Sequence, residues 1–204
     1  MGSEKSRYIL NRSQYQDDIR RSGVRKDLQD RIDSLGEEEL REKLLCLIAK
    51  DEYNLYLGVA AMLPLNAAIV DMILKAVCEQ LTEDTGGYSA LDEERLCQLA
   101  YEFIDRSDEL IKTGSVLLAA EVLLVTLVNL EPQMEFTEDE GWDLQVVIEE
   151  CFKSLDFIGE GKYDPCTREG LKQLVDRYRK QVDPANSNYN EEWQLVVEKV
   201  GKLG

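Results

Sequence analysis

Apolar side chains in this chain return every three or four residues, almost without interruption from Val24 to Leu203. That spacing places them on one face of an α-helix, turn after turn. The alternation in steps of two that marks a half-buried strand is nowhere sustained between hairpin turns. The sequence therefore predicts an all-α fold.

The stripes and their punctuation divide the chain. Val24, Leu28, Ile32 and Leu35 form one stripe that ends at Gly36, a glycine suited to a C-cap. The acids Glu37, Glu38 and Glu39 open the next helix, where they complement the dipole, and Leu40, Leu44, Leu47 and Ile48 follow. Residues 52–62 read as a third helix. Asn66 caps a fourth, with Ile69, Val70, Ile73, Leu74, Val77 and Leu81 inward. After the loop Thr85-Gly86-Gly87-Tyr88, a helix carries Leu96, Leu99, Phe103 and Leu110 to Lys112, with Gly114 beyond. Ser115 starts the most apolar run, Val116–Leu130, which Pro132 closes. Its fifteen residues fall short of the roughly 20 that a bilayer requires, and a helix apolar on nearly every side reads as the centre of a core.

Thr137 with Glu140 opens a helix bearing Leu144, Ile148, Cys151, Leu155 and Ile158. Asp164-Pro165 starts another, because proline is tolerated at the first helical position, and Leu171, Leu174, Val175, Tyr178 and Val182 line it. Asn190 caps the last, with Trp193, Val196, Val197, Val200 and Leu203 inward.

Helix starts fall near residues 91, 115, 142, 166 and 191, so the pair 91/115 maps onto 142/166 with a shift of 51. Short connections make consecutive helices antiparallel, and a hairpin that cannot bury its own apolar face must stack on the next. The expectation is an α-solenoid of stacked hairpins, of tetratricopeptide or HEAT type, with eight or nine helices. Residues 1–23 are expected to be an N-terminal arm, either flexible or forming an additional helix. Residues 24–204 form one helical-repeat domain with sub-units 24–84, 89–132 and 137–204. A chain of 204 residues with 44% apolar side chains can build such a core without disulfides or metal.

Histidine is absent. That excludes Ser-His-Asp and Cys-His catalysis and the histidine-bearing iron and zinc helices. The five cysteines, at 46, 78, 97, 151 and 166, include no Cys-x-x-Cys pair, so a thiolate zinc site is not expected. Their odd number fits reduced core thiols and a cytoplasmic location. Neither phosphate-binding glycine pattern is present: Gly159-Glu160-Gly161 lacks the third glycine and follows a helix. The turn Glu138-Asp139-Glu140-Gly141 fails as a calcium loop, since that register puts Phe136 first and Val147 twelfth. No cofactor is expected.

The net charge of −17 is unevenly spread. Residues 1–36 carry 8 basic against 6 acidic groups, residues 37–135 carry 7 against 20, and residues 136–204 carry 9 against 15. An acidic body repels phosphate backbones, so no nucleic acid is expected as a partner, and no membrane. Arg20, Arg21, Arg25 and Lys26 are the exception, either a solvated helix face or a patch that docks on a partner.

Without histidine, an enzyme built on this chain is expected to work through carboxylates and a hard metal. Glu38-Glu39-x-x-Glu42 and Glu102-x-x-Asp105 each put acids on one helical face. Two such helices face to face could hold Mg²⁺ through oxygen ligands. The pairs resemble the acidic motifs of the all-α nucleotide pyrophosphohydrolases, and that resemblance implies a Mg²⁺-dependent hydrolase using Glu38, Glu42, Glu102 and Asp105. The interval between the motifs is longer than in that family. Acids at these spacings also mark an ordinary solvated face.

Residues 89–204 carry a second resemblance. Gly114-Ser115-Val116-Leu117-Leu118-Ala119-Ala120-Glu121-Val122-Leu123, then Thr137-Glu138-Asp139-Glu140-Gly141-Trp142-Asp143 and Val147-Ile148-Glu149-Glu150, are similar to the helical-repeat region of bacterial proteins that also carry a SWIM zinc finger. The Cys-x-Cys and Cys-x-His pairs of that finger are absent, so no zinc or DNA-binding role comes with the likeness. It implies a tetratricopeptide-like stack of helix pairs. The resulting expectation is a non-catalytic interaction module whose acidic surface takes a basic surface of another protein.

Overall fold

The computed structural model describes residues 30, 33–48, 52–62, 64–83, 90–136, 142–182 and 187–201. Among them the fold is all-α, with eight α-helices, one 3-10 helix and no strand. The helices are α1 (Glu37–Ile48), α2 (Glu52–Met62), α3 (Ala67–Glu83), α4 (Ala90–Lys112), α5 (Val116–Leu130), α6 (Trp142–Gly159), α7 (Pro165–Arg179) and α8 (Asn190–Gly201). The 3-10 helix, Glu131–Phe136, continues α5 directly. The chain divides into two compact units, Met1–Leu55 and Tyr56–Gly204.

In the first unit, α1 leaves Leu40 39%, Leu44 38% and Leu45 65% exposed, so the stripe drawn through Leu40 and Leu44 is not a buried one. Its ion pairs, Arg41–Glu37 at 2.7 Å and Lys43–Glu39 at 3.9 Å, are solvent-exposed and contribute little.

The second unit is built around α5. Ten of its fifteen residues are buried, and α3, α4, α6 and α7 all pack on it. Closely packed pairs sort the helices into two layers. One holds α3, α5 and α7, the other α4, α6 and α8. Contacts α3–α4, α4–α5, α5–α6 and α7–α8 join the layers, whereas α6 and α7 are not a closely packed pair. Two of the pairs within a layer, α6 with α8 and α5 with α7, run parallel. Phe152 of α6 meets Trp193 of α8, and one and a half turns on Lys199 pairs with Asp156 and Glu160. Gly170 of α7 sits against Leu117 of α5, and Arg177 further along pairs with Glu121 at 3.3 Å.

The predicted stripes form this core, with Leu96, Leu99, Phe103, Leu144, Ile148, Cys151, Leu171 and Trp193 all at most 1% exposed. Ile69, Leu110, Val182 and Val197 are half-buried, because each lies at a stripe's edge or a helix's end. Leu81 and Leu203 lie outside the residues whose side chains are described.

Local chemistry sets the helix ends. Asn66 accepts from Ile69 N at 3.1 Å, as a cap should. Asp164 accepts from Cys166 N at 2.9 Å and Thr167 N at 3.1 Å, ahead of Pro165. Gly114, at φ +84°, turns α4 into α5: its N–H bonds Ile111 O while Ser115 N bonds Leu110 O. Those two bonds satisfy carbonyls the helix end leaves open, and the positive φ explains the glycine. Three starts depart from expectation. Ser115 makes no side-chain cap. Asn190 is the first residue of α8 and not its cap, because Trp193 N bonds Tyr189 O and the Asn190 side chain turns back to Ser187 O. Thr137 lies outside the described residues, and α6 is capped from α4: buried Glu93 accepts from Leu144 N at 3.1 Å.

Pro132 does not end the helical path, since a 3-10 turn tolerates it. The stretch Val116–Glu135 thus reaches 20 residues and is long and apolar enough to cross a membrane; 67% of its most apolar 18-residue window is buried inside the protein. The fifteen-residue count taken from the sequence is short by that extension.

Candidate functional site

The sequence-derived acidic pairs stand on different units. Glu38 and Glu42 are exposed on α1, in the first unit. Glu102 and Asp105 lie on α4, in the second, half-buried and exposed respectively. Among the described residues no group of three or more acids or thiols is arranged to hold a metal ion. Arg20, Arg21, Arg25 and Lys26 lie outside the described residues.

Asp105 does belong to a wider acidic patch, on the layer formed by α4 and α6. Partial burial raises the Asp108 carboxyl above the usual range, Lys112 works against that, and Asp105 and Glu150 of α6 push it higher. Charges on neighbouring helices therefore crowd one another here. Lys153 relieves part of the strain by pairing with Glu150 at 2.6 Å. At the other end of α6, Asp143 is also raised by burial.

A second polar cluster lies where the 3-10 helix, α6, α7 and α8 meet. Glu131 is only 8% exposed. Its Oε2 accepts from the Trp193 indole Nε1–H at 3.1 Å, and its Oε1 is buried with no hydrogen-bond partner. Arg179 places its guanidinium 5.8 Å from the Trp193 ring centroid and donates from Nη2 to Asn190 Oδ1 at 2.7 Å. Its Nη1 is buried without a partner. Phe152 presents its edge to Trp193, with centroids 5.4 Å apart, and lies 5.7 Å from Tyr189. Burial drives the Tyr189 phenol well above its ordinary range, and the charges of Glu149, Glu131 and Glu192 push it the same way. The charges of acids on the 3-10 helix, α6 and α8 thus all act on one phenol.

A third set ties the opposite layer together. Asn129 of α5 donates to Asp71 of α3 at 3.0 Å, and Lys75 pairs with Asp71 at 2.7 Å. Burial opposes the Asp71 charge, yet these two hydrogen bonds outweigh it and hold its carboxyl below the usual range. Every polar group in that set has a partner, which is the pattern of a structural clasp.

Sequence reading missed Glu131, Arg179 and Tyr189. The one signal available was an acid placed directly between an apolar run and a proline, Leu130-Glu131-Pro132. The comparisons add nothing to these geometries: no family model, no curated protein and no solved structure matches the chain.

Proposed function

We propose that this protein is a non-catalytic helical-repeat module whose acidic α4–α6 face binds a basic surface of another protein. The observation that carries the reading is the crowding of Asp105, Asp108 and Glu150, acids from two helices set against one another. A fold gains nothing from such repulsion, whereas a cationic partner removes it on binding. The layering of alternate helices, with α5 parallel to α7 and α6 parallel to α8, supports the repeat architecture. A cytoplasmic setting is part of the same proposal.

The test is affinity capture with the intact chain beside a variant carrying Asp105→Lys, Asp108→Lys and Glu150→Lys. The expected result is a set of basic proteins that the variant fails to retain. They should be released as salt rises from about 0.1 M to about 1 M, where the screening length falls from about 10 Å to about 3 Å. Equal capture by both forms, or capture indifferent to salt, rejects the reading.

A further inference from the structure

We propose that the junction of the 3-10 helix, α6 and α8 is a binding site for a primary ammonium group, of the kind a lysine side chain carries, brought by a basic partner. The proposal rests on the acidic-surface reading and names the chemistry that would anchor it.

Three features of the junction argue for a cation. Glu131, Glu149 and Glu192 come from three elements, and their charges all act on the one Tyr189 phenol, which a single solvated helix face does not produce. Arg179 is the cationic group found against this cluster, so the local balance stays negative. Glu131 Oε1, in a side chain more than nine-tenths buried, has no hydrogen-bond partner. A buried carboxylate oxygen in that state gains more from a donor than an exposed one, because little water competes.

The geometry also separates ammonium from guanidinium. A guanidinium bonds best to both oxygens of a carboxylate at once, but Trp193 already occupies Glu131 Oε2. A single free oxygen suits a compact ammonium. The Trp193 face is taken as well, by Arg179. Glu149 and Glu192 are half-buried and add negative charge beside Tyr189, while Glu131 supplies the unpaired oxygen.

The chain has two tryptophans, and Trp142→Phe leaves Trp193 as the single indole signal in a nitrogen-proton NMR spectrum. The probe is N-acetyl-lysine-N-methylamide, titrated into that protein. A saturable shift of the Trp193 indole signal is expected, with binding about tenfold weaker in Glu131→Gln, which keeps an oxygen for the indole. The Nε-acetylated probe should cause no shift. An unmoved indole signal, or equal shifts with the acetylated probe, overturns the proposal. So does equal affinity in a folded Glu131→Gln protein. Should that variant not fold, Glu149→Gln with Glu192→Gln takes its place, and unchanged affinity there overturns the proposal too. A lysine-rich peptide titrated in parallel separates the two readings. If it binds while the indole signal stays still, the ammonium site fails and the acidic-surface reading stands. If it does not bind although the small probe does, the acidic-surface reading fails.

Discussion

Glu93 shows how much one side chain can do in this fold. It reaches from α4 to the N-terminal end of α6, accepts from Leu144 N at 3.1 Å, and is itself 7% exposed. The first N–H groups of a helix have no partner within it, and a carboxylate placed there also meets the positive end of the dipole. Cys97, one turn further along α4, feels this arrangement: burial raises its thiol far above the ordinary range, and Glu93, Asp143 and Glu94 add to the rise. That thiol therefore stays protonated and unreactive. Replacing Glu93 by Ala removes the cap and leaves Leu144 N buried and open. A loss of about 1 to 3 kcal/mol in denaturant unfolding is expected, with Glu93→Gln recovering part of it. A midpoint unchanged in the Ala variant would remove the cap from this account.

At the scale of elements, the sequence is most informative about α5 and least about what surrounds the 3-10 helix. The all-round apolarity of Val116–Leu130 already marks a central helix, because only a site enclosed by other helices satisfies it. The stripes of α4, α6 and α7 are legible for the same reason, since each faces one partner layer. The Leu40/Leu44 stripe misleads, because helical spacing reports an amphipathic face but not what covers it. Glu131 is illegible for a different reason. Its burial depends on Trp193, 62 positions later, and no local period carries that information. Asn190 is likewise a good capping residue by type, yet its side chain is claimed by Arg179 and Ser187 from outside the helix. The central position of α5 has a measurable consequence. Leu127 is 0% exposed, and its truncation to Ala should cost about 2 to 5 kcal/mol, towards the upper end because four packed neighbours cannot all collapse into the gap. The same change at exposed Leu195, 54% exposed on α8, should cost well under 1 kcal/mol in the same unfolding measurement.

At the scale of the whole molecule, a net charge of −17 works against compactness at neutral pH, and the carboxyls respond to acid in two opposing ways. Asp108 and Asp143 are raised in the folded protein by partial burial, Asp108 also by its acidic neighbours. Between the unfolded and the raised values the folded state holds more protons, so their penalty fades as pH falls through that window. Asp71 and Asp164 are lowered. Burial opposes the Asp71 charge, but its bonds to Lys75 and Asn129 prevail, while Thr167 is the main cause at Asp164. Their stabilisation is complete above the unfolded carboxylate range and disappears as pH drops through the lowered values. Stability should therefore rise from neutral pH into mild acid, pass a maximum near the top of the ordinary carboxylate range, and then fall. Thermal unfolding across that range tests the order of events. Asp108→Asn with Asp143→Asn should raise the melting temperature at neutral pH and flatten the rising limb, leaving the acid fall in place. A melting temperature that declines steadily from neutrality would mean that the lost clasps outweigh the relieved crowding at every pH.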